Sequence, residues 1–285
     1  MKLQQLLSYT RRAVDDYGMI EDGDRIAIGI SGGKDSLTLL YALQGLRRFY
    51  PKKFDIEAIT IDLGFDGFHL EEIQKLCEEL NVHYTIVKTD IKSIVFDIRK
   101  EENPCSLCAT LRKGAFNDKA AELGCNKVAY AHHRDDIVET MLLSLLYEGR
   151  FHSFSPKTYL DRMEVTVIRP LMYINEADII GFMHKNNLPV SKNPCPADGH
   201  TQREGVKNLL RQLNTDYPGC KNRMFTAICN GNIKGWPEKI ERPKPVSRKK
   251  REMDRKQQEM NRKQQETDRK QNSETVKEDV LNGGI

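Results

Sequence analysis

Residues Arg25-Ile26-Ala27-Ile28-Gly29-Ile30-Ser31-Gly32-Gly33-Lys34-Asp35-Ser36-Leu37-Thr38-Leu39-Leu40-Tyr41-Ala42-Leu43 decide how this chain folds. Isoleucines at 26, 28 and 30 stand at every second position, the period of a strand. Leu37 to Leu43 and its continuation are long enough for a helix. The stretch therefore reads as strand, tight loop, helix. Gly32 and Gly33 let the backbone approach an anion in conformations a side chain would forbid. The free N–H groups and the positive end of the following helix then face that anion. Lys34 adds a point charge, and Ser31 and Ser36 add hydroxyls. Asp35 would repel a phosphate unless it holds a metal ion or braces the loop. This is a phosphate cradle, but it lacks the G-x-x-x-x-G-K-[ST] spacing of the Walker loop.

Outward from the loop, strands alternate with helices. Residues 2–18 carry apolar positions at helical spacing, from Leu3 to Tyr17. Residues 55–62, 83–88, 127–133 and 165–169 read as four further strands, and 70–80 as a helix. Such alternation predicts an α/β fold, a parallel sheet flanked by helices. Ligands in such sheets lie beyond the carboxyl ends of the strands. Gly32, Asp62, His132 and His133 all fall at such ends and can share one site. The expected division is an N-terminal helix over 1–20, a core domain over 21–235 and a charged tail over 236–285.

Composition narrows the class. The chain has 285 residues, 30% charged and 39% hydrophobic, with the charge concentrated towards the end. No apolar run approaches the ~20 residues of a membrane span. Met1-Lys2-Leu3-Gln4-Gln5 lacks the apolar core of a secretory signal, so a cytoplasmic protein without membrane contact is expected. Seven cysteines, an odd number at irregular spacing, argue against a disulfide framework. A net charge of +4 permits nucleic-acid binding without demonstrating it.

Several residues carry two readings. Asp62 is either a solvated strand-end acid or a ribose or metal contact. In His132-His133-Arg134-Asp135-Asp136, Asp135 or Asp136 can cap the next helix. The whole run also offers phosphate donors and carboxylates for Mg²⁺, which prefers oxygen ligands. Residues 148–157 mix bases with Phe151 and Phe154, as either a base-stacking loop or a surface loop anchored by those rings. Arg169 is a phosphate or carboxylate clamp, or a rim ion-pair residue. Asn175 caps a helix reaching His184, with Ala177, Ile180 and Phe182 among its apolar members. Residues 188–192 form an extended return that delivers Cys195 to the same edge, and 201–213 and 217–229 are closing helices.

Cys105-Ser106-Leu107-Cys108 opens a helix whose positive end should favour the thiolates. With Cys195, three sulfurs could meet beside the cradle. A redox pair, a structural zinc completed by His200, and a cluster on three cysteines with one open iron all satisfy this spacing. Cys77, Cys125, Cys220 and Cys229 read as structural thiols.

Ser31 to Ser36 resembles the SGGKDS signature of the PP-loop ATP pyrophosphatases, of adenine nucleotide alpha hydrolase type, which split ATP between its α and β phosphates and adenylate a substrate. Cys105-Ser106-Leu107-Cys108, Leu111-Arg112-Lys113-Gly114, His132 to Asp136 and Ile168-Arg169-Pro170-Leu171 resemble the tRNA 2-thiocytidine synthetases, over roughly residues 20–215. That resemblance implies adenylation by ATP and Mg²⁺ of a cytidine at position 32 of the tRNA anticodon loop. Sulfur then displaces AMP. It also implies a 4Fe-4S cluster on Cys105, Cys108 and Cys195, with catalytic roles for these three and for Lys34 and Asp35. Nucleotide contacts would come from Ser31 to Ser36, Asp62, His132, Asp136 and Arg169. The sulfur donor would be a cysteine desulfurase or sulfide, and a homodimer is compatible with this reading. Where relatives are expected to carry a second nearby cysteine, Cys195-Pro196-Ala197-Asp198-Gly199-His200 has one.

The tail is a different material. Glu252 to Gln258 repeats at Glu259 to Gln265 and Glu266 to Asn272, with one apolar position per seven that becomes Thr267 in the third copy. A coiled coil wants two apolar positions per heptad. The segment reads as a solvated, partly helical or disordered tail whose bases add weak RNA affinity. It offers little apolar surface to offset the ~1.5 kcal/mol per residue cost of ordering. Removing residues 245–285 is therefore expected to leave thermal unfolding of the rest within a few degrees of the full chain; precipitation or a much lower midpoint would contradict this.

Overall fold

The computed structural model describes residues 1–65, 70–99, 104–191, 195, 202–231, 233, 235–240, 253 and 260. It divides into two compact units, Met1–Ile240 and Glu241–Ile285. In the second unit the repeats lie almost wholly outside the described residues; Met253 and Met260 are helical and exposed. Among the described residues no helix is long and apolar enough to cross a membrane.

In the first unit α1 (Leu3–Asp16) leads to β1 (Asp24–Gly29), α2 (Lys34–Arg47), β2 (Phe54–Asp62), α3 (Glu71–Glu79) and β3 (His83–Lys88). A π-helical segment, Ser93–Ile98, precedes α4 (Pro104–Glu122), β4 (Lys127–Ala129) and α5 (Arg134–Glu148). β5 (Lys157–Leu160), β6 (Val165–Ile168), α6 (Glu176–Asn186), α7 (Gln202–Asp216) and α8 (Cys220–Asn230) follow. The sheet order is β3-β2-β1-β4-β6-β5, with every pair parallel except β5 and β6. This is the α/β sheet the sequence predicts, with one strand added. Lys157–Leu160 is an antiparallel edge strand where no strand was expected. From β1 the chain moves outward to β2, and from β4 it moves the other way to β6. A crevice therefore opens between the carboxyl ends of β1 and β4, the usual ligand position of an open α/β sheet.

Both faces of the sheet are buried, as parallel strands require. Ile26 and Ile28 of β1 join Ile56 and Ala58 of β2 in one core, with Leu37, Leu40 and Leu43 of α2, and Leu6, Ala13 and Val14 of α1. Ala27, Ile59, Ile61 and Val128 turn to the other face, where Phe116 and Ala120 of α4 cover them. At the amino ends of the strands the Lys127 ammonium lies 2.6 Å from the Asp24 carboxylate, both buried, and also donates to the Met19 carbonyl. Trp236 packs against the first core, and the Ile240 N–H donates to the Asp16 carbonyl.

Helix starts show which local readings survive. Asn175 caps α6, its side chain accepting from the Asp178 N–H at 2.7 Å. Ile179 and Phe182 face inward, whereas Ile180, read as an apolar member, is partly exposed. The cap of α5 is His133, not Asp135 or Asp136. Its Nδ1 accepts from the Asp136 N–H, and the Asp136 carboxylate accepts from the His133 N–H, a reciprocal box that satisfies two donors.

Candidate active site

The Ser31–Ser36 loop sits at the carboxyl end of β1. Gly32 has φ +77°, a left-handed conformation that costs a glycine little. Gly33 is the N-cap of α2. The loop braces itself: the Gly33 N–H donates to Ser31 Oγ, the Ser31 N–H to Ser36 Oγ, and Ser36 Oγ to the Gly33 carbonyl at 2.9 Å. The opening N–H groups of α2 therefore point from a fixed turn towards the crevice.

A cavity of about 820 Å³ occupies that crevice. Ser31, Gly33, Lys34 and Asp35 form one wall, and Asp62, Leu63 and Phe65 another. Arg112, Lys113 and Phe116 of α4 close it opposite, with Tyr130, His132 and Ser191 at the margin. Gly32, Ser36, Asp136, Arg169 and the three candidate cysteines stand outside this lining. Asp62 also braces its own turn, accepting from the Gly64 N–H. Asp66 and Gly67, which follow Phe65 in the chain, lie outside the described residues.

Around Lys34 the charges alternate. Its ammonium lies 3.0 Å from Asp35 and 3.2 Å from Glu176, and Glu176 in turn is 2.9 Å from Lys207. Burial pulls the Lys34 ammonium down, but the two carboxylates outweigh it and hold its pKa above the ordinary value. Burial likewise pushes Glu176 up, and Lys207 with Lys34 brings it below its usual range. Arg203 reaches Glu139 at 3.4 Å and Asp136 at 3.5 Å. Burial, then the Asp136 charge, still holds Glu139 above the usual carboxyl range. Glu176, Lys207 and Arg203 carry no local sequence signal; the packing of α7 beside α5 and α6 brings them in.

Asp35 has one buried oxygen, Oδ1, without a hydrogen-bond partner, and His133 Nε2 stands 3.8 Å from it. Such an oxygen on the cavity wall suits a hard cation that accompanies phosphates. His132 is half-buried, its ring 4.3 Å from Phe154 between centroids. Phe154 thus anchors the 148–157 loop, while Phe151 is 74% exposed and anchors nothing. Arg169, expected as a clamp, spends its guanidinium on His132, the Ser155 carbonyl and the face of Phe154.

Cys105 and Cys108 lie three residues apart in the first turns of α4, on one side of the helix. The Cys108 thiol is pushed above its ordinary value by burial, with Cys195 and Cys105 adding to the rise and Arg112 opposing it. The expected lowering by the helix end is overturned at Cys108, because burial outweighs the nearby positive charge. Cys105 and Cys195 therefore both lie within electrostatic reach of Cys108. Among the described residues no three His, Cys, Asp or Glu side chains are drawn into a metal-holding group, the three candidate cysteines included. Three cysteine thiolates are by their chemistry a donor set that can hold a cluster with one iron left free. His200, the candidate zinc ligand, lies outside the described residues. Cys77, Cys125 and Cys220 are buried, and Cys229 is half-buried.

The PP-loop domain family matches residues 3–213. The tRNA-cytidine(32) 2-sulfurtransferase of Geobacter sulfurreducens is 40% identical over 233 residues, covering 81% of this chain and 91% of that one. The chain belongs to the PP-loop family of tRNA-cytidine(32) 2-sulfurtransferases. The member from Aliivibrio fischeri is 43% identical over 223 residues, 78% of this chain and 73% of the other. Among solved structures, the U34-tRNA thiolase NcsA from Methanococcus maripaludis with its 4Fe-4S cluster shares the fold, at a TM-score of 0.64 and 24% identity over 79% of this chain and 76% of that one.

One support of this edge can be tested by pH. Asp135 is buried and accepts from the Glu176 N–H at 2.8 Å and from the Lys221 ammonium of α8. Burial pushes the carboxyl up, but the Lys221 hydrogen bond and then that N–H outweigh it and hold it below the usual range. A depressed acid stabilises the fold above its unfolded pKa, about 3.9, and loses that contribution as pH falls through the folded value. Lys221→Met is expected to cost about 2 kcal/mol at pH 7. In urea unfolding the deficit should shrink below about pH 4; a constant deficit at both pH values would remove Asp135 as its cause.

Proposed function

We propose that this chain is an ATP-dependent tRNA sulfurtransferase acting on a cytidine, at position 32 of the anticodon loop. The observation that carries the reading is the juxtaposition at one sheet edge. A phosphate cradle lines a cavity whose far wall, Arg112 of α4, also acts electrostatically on the Cys108 thiol, one of the three candidate sulfurs.

The proposed sequence has two displacements. The glycine turn and the N-terminus of α2 hold the triphosphate by backbone N–H groups. Lys34 exchanges its carboxylate partners for phosphate oxygens and offsets charge on the departing pyrophosphate. The cytidine O2 attacks the α phosphorus, its new P–O bond replacing the bond to pyrophosphate. Sulfur then forms a bond to C2, and AMP departs carrying the original oxygen. Asp35 Oδ1 would supply a ligand to the Mg²⁺ that accompanies ATP. Cys105, Cys108 and Cys195 would hold a 4Fe-4S cluster, which when bound would supply an iron position able to carry sulfide, provided directly or released from a cysteine desulfurase persulfide by a thiol reductant. Arg112 and Lys113 on the opposite wall suit the phosphate backbone of the incoming tRNA.

With tRNA and ATP, AMP and pyrophosphate should appear together with 2-thiocytidine by nucleoside mass spectrometry. Lys34→Ala and Asp35→Ala should each lower both by about a hundredfold or more while circular dichroism stays unchanged. ADP and phosphate as the main products would overturn adenylation. Anaerobic purification should yield iron and labile sulfide, lost in Cys105→Ser, Cys108→Ser and Cys195→Ser and kept in serine variants of Cys77, Cys125, Cys220 and Cys229. Stoichiometric zinc without iron would overturn the cluster.

A further inference from the structure

His132 lines the cavity beside Ser31, Lys34 and Asp35, yet its surroundings differ from those of a histidine that moves protons. Arg169 Nε donates to His132 Nδ1 at 3.3 Å. A guanidinium has no acceptor and keeps its protons, so Nδ1 must present its lone pair, and the neutral ring then carries its proton on Nε2. Arg169 is held for this task. It is 9% exposed, its Nη1 donates to the Ser155 carbonyl, and its guanidinium lies 5.0 Å over the Phe154 ring. No carboxylate among the described residues pairs with Arg169, so its charge acts on His132 unshielded. Phe154 covers one face of the imidazole, and Tyr130 meets it edge-on at 5.8 Å.

We propose that His132 serves as a permanently neutral hydrogen-bond donor to an acceptor oxygen of the bound nucleotide, with Arg169 the positioning residue that fixes its tautomer. This rests on the reading of the cavity as the adenylation site. The groups facing the ring all oppose an imidazolium or leave it unaided: Arg169 after β6, Arg203 of α7, the adjoining His133, and the neutral Tyr130. Burial, then the Arg169 charge, pushes His132 down to about 3. Burial also pulls Arg169 down, to about 10, which leaves it charged at neutral pH. His132 therefore holds an oxygen without delivering a proton to it, and leaves general acid and base work to other groups or water.

Long-range ¹H–¹⁵N NMR of the full chain with ¹⁵N-histidine tests the state directly, His132→Gln assigning the signal. The expected result is an unprotonated Nδ1 and a protonated Nε2, unchanged from pH 5.5 to 8. An Nδ1–H tautomer, or titration in that range, would overturn the proposal whatever the enzyme does. Arg169→Met should let the ring sample both tautomers and bring its titration up into the ordinary histidine range; an unchanged spectrum would overturn the role of Arg169. For tRNA-dependent pyrophosphate release, His132→Gln keeps an acceptor towards Arg169 and an N–H towards the cavity, and should stay within about tenfold of wild type. His132→Phe keeps the stack without the donor and should fall about a hundredfold or more in kcat, the usual loss for one such donor. Equal loss in both variants would overturn the donor role. A wild-type chain that releases no pyrophosphate would instead overturn the functional reading, which separates the two failures.

Discussion

The burial of α2 is the constraint on which the cavity depends. Leu37, Leu39, Leu40, Ala42, Leu43 and Leu46 are all fully buried, so nearly every side of this helix is in contact with protein. α1 crosses so closely that a Cβ on Gly45 would come within 2.7 Å of Leu7 Cδ2. A helix packed on all sides has no room to slide or roll. Its N-terminus is therefore set relative to the end of β1, and the intervening turn must be tight enough for Gly32 and Gly33. The loop's own serine hydrogen bonds refine a position that apolar packing has already imposed.

At the sheet edge the same economy governs charge. Lys34, Glu176 and Lys207 alternate in sign, as do Asp136, Arg203 and Glu139. These pairs cross between helices: Glu176 of α6 reaches Lys34 at the end of the glycine turn, α7 pairs with α5 and α6, and Lys221 of α8 pairs with Asp135 of α5. Arg169 departs from this pattern. Its balance comes from a carbonyl, an aromatic face and a neutral imidazole. These weaker partners leave its field directed at His132.

What the sequence disclosed follows from how local each signal is. Period-2 isoleucines in β1, the glycine turn and the Asn175 cap depend on neighbours in the chain and were legible. β5 was not: it spans four residues with Tyr159 exposed, pairs antiparallel at an edge, and shows no apolar alternation. His133 as the cap of α5 was masked by the two aspartates that follow it, although the box needs the histidine ring and Asp136 together. The Phe154–His132 stack joins residues 22 positions apart, and the Lys207–Glu176 pair joins residues 31 apart. Side chains of that separation meet through tertiary packing, which no spacing rule records. The Cys108 thiol shows the reverse error. The helix end was visible in sequence, but the burial that overrides it belongs to the folded state.

The Ser191 backbone N–H donates to the Gly32 carbonyl at 3.0 Å, and Cys195 follows four positions later. Consecutive Cα atoms are 3.80 Å apart, so the Cys195 Cα is leashed within about 15 Å of the Ser191 Cα. The anchor of the leash is main chain. Exchanging the serine side chain leaves the donor in place, and among the common amino acids proline is the one that removes it. Point substitutions across 192–194 leave the length unchanged, whereas a single inserted or deleted residue alters it. The spacing between the glycine turn and this thiol is therefore written in chain length rather than in residue identity.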